Sequence, residues 1–131
     1  MESQESELLK SWEEGIAHFN ERRFWEAHEA WERGWKSLLP VPKLHIQALI
    51  QAAAAFHLLE LGRAGAARSL AGQALRKFTK ASPPFPRIDV PGLDSALSKV
   101  ANAPPEMSAS GIAGLIARFR LRAELLLSPR S

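Results

Sequence analysis

The feature that most constrains the fold is a stretch without charged side chains, LHIQALIQAAAAFHLL, which covers residues 44–59. It contains no Asp, Glu, Lys or Arg, and a run of alanines lies in its middle. A helix that is apolar all round is normally either the central helix of a globular domain or a membrane span. This stretch is shorter than the roughly 20 residues that a span needs, and it also holds glutamines and histidines. We therefore predict a buried central helix over about residues 43–61.

Proline-rich breaks divide the rest of the chain into helical segments. Proline ends helices and biases the preceding residue away from helical geometry. Between the breaks, apolar residues recur at helical spacing, and no segment shows the alternation that is typical of a strand. The predicted fold class is therefore all-α, a compact helical bundle of about five to six helices. Besides the central helix, the predicted helices cover about residues 5–19, 21–38, 66–80, 92–100 and 110–127.

Length and composition indicate one soluble domain. The chain has 131 residues, of which 46% are hydrophobic and 24% are charged, and we predict a single helical domain over residues 1–131. The absence of cysteine excludes disulfides and thiolate metal sites and fits a reducing compartment. The first ten residues, MESQESELLK, lack the basic start and apolar run of a signal peptide. We therefore expect a cytoplasmic protein without a membrane partner.

Charge is unevenly distributed along the chain. Residues 1–65 hold 10 acidic and 7 basic side chains, whereas residues 66–131 hold 4 acidic and 10 basic ones. Basic clusters such as RFRLR at 118–122 keep an anionic partner open. No recognised nucleic-acid-binding motif accompanies them, so a solubilising surface is favoured and we expect no nucleic-acid partner. A homo-oligomer that buries the first or the last helix also stays open.

A polar pair interrupts the apolar stripe of the second predicted helix. On a helical wheel at about 100° per residue, His28 falls at the centre of this stripe, and Glu32 falls about 40° away. A buried carboxylate is costly unless it is paired or hydrogen-bonded, and the i, i+4 spacing brings the two side chains within reach. We therefore predict a polar pocket between the second and third helices, centred on this pair. The residues predicted to line it are Phe24, Trp25, Trp31, Trp35 and Gln51.

The residues leave three interpretations of the pair open. In the first, it is a structural network that indole donors and the side chains of Gln47 and Gln51 complete. In the second, His28 and Glu32 are two ligands of a divalent metal ion, with His57 as the candidate third ligand and His18 or Glu29 as alternatives. In the third, the pair is an acid–base dyad without metal, although no nucleophile motif accompanies it.

The sequence also resembles a known family. The segments FNERRFWEAHEAWERGW (19–35), LHIQALIQAAAAFH (44–57) and GRAGAARSL (62–70) are similar to a small prokaryotic family, domain of unknown function 309. The family motif HxxxExxW maps to His28, Glu32 and Trp35, and the similarity covers about residues 12–80. The resemblance implies an all-helical bundle and a role of the motif in metal binding, but no reaction. The segment at about 87–128 is then a C-terminal helical extension.

Two functions follow as hypotheses. The first is an uncharacterised helical protein with a polar His/Glu/Trp pocket that binds a ligand or a divalent metal ion. The alternative is a structural or protein-interaction module in which His28 and Glu32 form a buried polar network without chemistry. The two differ in exposure, because a functional pocket leaves His28 partly open to solvent and a structural network closes over it.

Overall fold

The computed structural model of the chain describes residues 2–35, 43–80 and 89–122, and these residues form helices joined by turns, without a strand. This confirms the all-α prediction. The helices are α1 (Glu2–Asn20), α2 (Phe24–Trp35), α3 (Lys43–Glu60), α4 (Ala64–Lys80), α5 (Val90–Ala101) and α6 (Ala109–Leu115).

Helix α3 lies at the centre of the bundle, as its uncharged sequence predicts. It packs against α2 on one side and α4 on the other, and α6 also contacts it. Four of its alanines, Ala48, Ala52, Ala53 and Ala55, are completely buried. Their small side chains allow neighbouring helices to approach closely, because the distance between helix axes depends on the side chains at the contact. Among the described residues, no helix combines the length and the hydropathy that are required to cross a bilayer.

A tryptophan fixes how α2 packs against α1. The indole of Trp31 is buried, and its Nε1 donates a hydrogen bond of 3.2 Å to the backbone carbonyl of Trp12. The ring lies directly over Gly15, where a Cβ atom would overlap the indole. Glycine lowers helix stability by roughly 1 kcal/mol relative to alanine. Here the absence of a side chain at Gly15 leaves room for the indole. This contact sets the rotation of α2 about its own axis.

The turn between α1 and α2 delays the start of α2 beyond the predicted residue 21. Arg22 has a φ of +66°, in the left-handed region that ends a helix. The backbone N–H of Arg23 then donates 2.8 Å to the carbonyl of His18, which completes the end of α1. Helix α2 therefore begins at Phe24.

The same turn binds the C-terminal segment of the chain. The Asn20 side chain makes a two-way pair with the backbone of Leu121: its Oδ1 accepts from the N–H at 2.6 Å and its Nδ2 donates to the carbonyl at 2.9 Å. The Arg22 guanidinium donates to the carbonyl of Ile116 at 3.2 Å and also to that of Ala117. These bonds connect residues about a hundred positions apart and hold the segment after α6 against the α1–α2 turn.

A second arginine holds the connection between α5 and α6. The guanidinium of Arg68, on α4, donates hydrogen bonds of 2.6–3.2 Å to four backbone carbonyls of that connection. The acceptors are Ala103, Pro104, Pro105 and Met107. Because hydrogen bonds from a charged donor are stronger than neutral ones, this side chain is a major tie between α4 and the C-terminal part of the chain.

The last helix is shorter than the apolar spacing predicts. Ser108 caps its start by accepting from the N–H of Gly111, but the helix ends at Leu115 rather than near residue 127. The apolar spacing of this helix predicts core positions at Ile112, Leu115, Ile116, Phe119 and Leu126. Ile112 and Ile116 are buried, whereas Leu115 is exposed. Leu126 lies outside the described residues, as do residues 36–38 at the predicted end of the second helix. The early end follows from the bonds to Asn20 and Arg22, which take backbone groups that a longer helix would use.

We expect Gly15→Ala to destabilise the protein, although alanine has the higher helix propensity. The added methyl group overlaps the Trp31 indole, and overpacking of this kind costs about 1–3 kcal/mol. Gly65→Ala is the matched control, because open space surrounds that glycine in α4. Urea unfolding should show a loss for the first variant and an unchanged or higher free energy of unfolding for the second. An equal gain in both variants would show that the indole does not depend on Gly15.

Candidate functional site

The buried face of α2 is rotated away from His28, which was the predicted centre of its apolar stripe. Phe24, Ala27, Ala30 and Trp31 are buried, whereas the side chain of His28 is 19% exposed. The prediction that His28 lies at the centre of the stripe is therefore wrong. The wheel considered only the large apolar side chains, and the alanines move the centre of the buried face by roughly 60–90° away from His28. The histidine lies on the flank of α2 instead.

This rotation also separates the aromatic residues that were predicted to line the pocket. Phe24 and Trp31 lie in the core, where both contact the ring of Phe19. Phe24 also borders a separate surface recess, together with Trp25 and His57. Trp25 lies on the same side of α2 as His28 and is 48% exposed. Trp35 ends α2, and its side chain lies outside the described part of the chain. Of the four predicted aromatic walls, only Trp25 is shown beside His28 at the surface.

His28 is held between its helix neighbours. Its Nε2 lies 3.9 Å from Oε2 of Glu32, and its Nδ1 lies 3.5 Å from Oε2 of Glu29. The Trp25 indole stacks on the imidazole, with ring centroids 4.9 Å apart and planes at 10°. The Glu32 side chain is 37% exposed, so the pair is half open to solvent. A contact of 3.9 Å is an ion pair only when the imidazole is protonated, and at this exposure it contributes little to stability.

His57 lies on the other side of the Trp25 indole. Its ring centroid is 5.5 Å from that of Trp25, and its Nδ1 lies 3.3 Å from Oε1 of Glu60 in the last turn of α3. The tryptophan therefore contacts both imidazoles. Among residues 2–35, 43–80 and 89–122, no three histidine, aspartate or glutamate side chains lie together as a group that could hold a metal ion. His28 and Glu32 thus offer two of the three or four donors that a protein zinc site ordinarily has.

Glu32 also borders an open recess between α2, α3 and α4. This polar recess has a volume of about 350 Å³ and is lined by Glu32, Gln47, Ile50, Gln51 and Lys77. Gln51 was predicted to complete the pocket from the third helix, and it does share the recess with Glu32. Its Nε2, however, donates 3.3 Å to Oε1 of Gln73 on α4. Its own Oε1 is buried and has no hydrogen-bond partner among the described residues.

The contribution of α4 to this site was not predicted. Gln73 and Lys77 are four residues apart on that helix, as are Gln47 and Gln51 on α3 and His28 and Glu32 on α2. Residues at i and i+4 share a helix face. The three consecutive helices therefore carry three polar pairs at the same spacing. This repetition is the sequence signal that could have identified α4, but each pair alone is too common to be noticed.

We expect Glu32→Gln to change the free energy of unfolding by less than about 1 kcal/mol, because exposed ion pairs are worth no more than this. Phe24→Ala is the contrasting control on the same helix, and the loss of its buried ring should cost about 3–5 kcal/mol. Urea unfolding of both variants measures the difference. A loss above about 2 kcal/mol for Glu32→Gln would instead identify the pair as a structural network.

Comparison with known proteins agrees with the resemblance noted in the sequence. The comparison with curated proteins found no match, and neither did the comparison with solved structures. A family model does match, over residues 12–70, a segment that extends from the middle of α1 into α4. It contains His28, Glu32 and Gln51, and also Asn20, Gly15 and Arg68. The family that residues 12–70 of this chain match is described as Domain of unknown function (DUF309).

Proposed function

We propose that this chain is a helical protein that binds a small polar ligand in the polar recess. The observation that carries the proposal is the carboxamide of Gln51. Gln51 lines the recess, its Oε1 is buried without a hydrogen-bond partner among the described residues, and the Nε2 of the same group is bound to Gln73. A buried acceptor without a donor costs about 1–3 kcal/mol, and folded proteins rarely keep one without a reason. A ligand with an N–H group would satisfy this oxygen.

The shape and lining of the recess support this proposal. Ligand pockets typically have volumes of roughly 300–1,000 Å³, with apolar walls and a few polar groups that fix the orientation of the ligand. The polar recess has about 350 Å³, an apolar side chain in Ile50, and four polar side chains from three helices. Helices place side chains more rigidly than loops do, so these groups are positioned before a ligand arrives.

A divalent metal ion at His28 and Glu32 is a second candidate. The observation in its favour is the separation of 3.9 Å between His28 Nε2 and Glu32 Oε2, with both atoms on one helix flank. The metal would require at least one further donor, for which His57 was the sequence-based candidate. Because the Trp25 indole contacts both imidazoles, His57 and His28 flank the same ring. Of this hypothesis, the geometry supports His28 and Glu32 as a pair of ligands.

The ligand proposal is tested by thermal unfolding with a library of small polar compounds. A ligand present at about a hundred times its Kd stabilises by about 2.7 kcal/mol, which raises the Tm of a domain of this size by several degrees. We expect at least one compound to do so in the wild-type protein and not in Gln51→Leu, which lacks the carboxamide. Compounds that stabilise both proteins equally, or no stabilising compound at all, would contradict the proposal.

The metal candidate is tested by elemental analysis of the untagged protein after exposure to zinc, manganese, iron and nickel salts. If His28 and Glu32 hold a metal, we expect a near-stoichiometric ion that both His28→Ala and Glu32→Ala lose. Glu106→Ala is the matched control, because its carboxylate is exposed in the connection between α5 and α6 and lies on neither α2 nor α3. Metal that is absent, or retained in the two variants, would remove this candidate.

A further inference from the structure

The charges around the polar recess indicate which ligand it would take. Glu32 on α2 and Lys77 on α4 line the same recess, and α3 lies between these two helices. No ion pair joins the two side chains, and none joins Lys77 to any other residue in the described part of the chain. The recess therefore has an anionic side and a cationic side, with the neutral side chains of Gln47 and Gln51 between them.

The antiparallel directions of α3 and α4 determine which residues of the recess face each other. Helix α3 is antiparallel to α4, because a turn of only a few residues joins them, and the bond from Gln51 to Gln73 fixes their register. Lys77 lies one helical turn beyond Gln73, and Gln47 lies one turn before Gln51, so these two residues face each other across the α3–α4 contact. Their side chains line the same recess as Glu32 on α2.

We propose that the polar recess binds a short peptide with both termini free, of about the size of a dipeptide. This inference rests on the proposed function and names its ligand class. The ammonium group would donate to the Glu32 carboxylate, and the ligand carboxylate would accept from Lys77 Nζ. The peptide N–H would donate to the unpartnered Oε1 of Gln51. Ile50 supplies an apolar surface for a ligand side chain.

Two of these contacts, to Lys77 Nζ and to the Oε1 of Gln51, meet groups that have no partner among the described residues, whereas Glu32 also lies 3.9 Å from His28 Nε2. Charge-assisted hydrogen bonds are the stronger ones, so the two termini should supply most of the affinity. A simple amine or a simple carboxylate would satisfy only one side of the recess. A metal ion would satisfy Glu32 but would be repelled by the ammonium of Lys77.

The test is a titration of the full chain, observed through the backbone and side-chain amide signals of the ¹⁵N-labelled protein. The probe is glycylglycine. Three analogues each remove one group: glycylglycine amide lacks the carboxylate, N-acetylglycylglycine lacks the ammonium, and 5-aminopentanoate replaces the peptide amide by methylenes. We expect glycylglycine to shift the signals of Gln47 and Gln51 and each single-charge analogue to bind at least about tenfold more weakly, as the loss of one charged contact implies.

Protein variants test which side chain of the recess binds each end of the ligand. In Lys77→Gln, glycylglycine and its amide should bind equally, and in Glu32→Gln, glycylglycine and its N-acetyl derivative should bind equally. Lys99→Gln, on the exposed surface of α5, is the matched control and should retain the full discrimination. If the amide binds the wild-type protein as tightly as glycylglycine, or if Lys77→Gln keeps the preference, the peptide inference is wrong.

The outcomes also separate this inference from the proposed function. If glycylglycine shifts no recess signal while another polar compound shifts those of Gln47 and Gln51, the ligand class is wrong and the binding recess stands. If no compound of the library shifts them, both proposals fail.

Discussion

The contact between the Trp31 indole and Gly15 sets the arrangement on which the rest of the structure depends. It fixes the rotation of α2 against α1, because the indole fits only where the facing helix has no side chain and donates to the Trp12 carbonyl. With this rotation, the alanines of α2 face the core. His28 and Glu32 are then carried to the flank, where they are partly exposed to solvent.

Two groups of polar residues within residues 12–70, the segment that the family model matches, have different partners. Asn20, Arg22 and Arg68 bind backbone groups of the C-terminal part of the chain, so they hold the fold together. Glu32 and Gln51 instead border an open recess. Hydrogen bonds to backbone N–H and carbonyl groups account for the first group. In the second group, the Oε1 of Gln51 has no hydrogen-bond partner among the described residues, and this difference is the reason for proposing a ligand there.

The sequence predicted the fold better than the site. Proline breaks and apolar spacing are local signals, and they located α1 to α5 and the buried α3. The end of α6 was missed because it depends on Asn20 and Arg22, about a hundred residues away. At the site, Glu32 and Gln51 line one recess, and the functional pocket predicted between α2 and α3 stays a prediction. Lys77 was missed, and Trp31 was misplaced, because alanines and a distant glycine determine which side of α2 is buried.

The recess is open to solvent, whereas the polar contacts that hold the fold are closed. A soluble nitroxide, which broadens the NMR signals of groups near solvent, tests this claim directly. We predict strong broadening of the Gln47 side-chain amide and of the Glu32 side-chain protons, with the Trp31 indole N–H and the Asn20 carboxamide largely unaffected. Equal protection of all four groups would contradict the account, because Glu32 and Gln47 would then belong to a closed internal network.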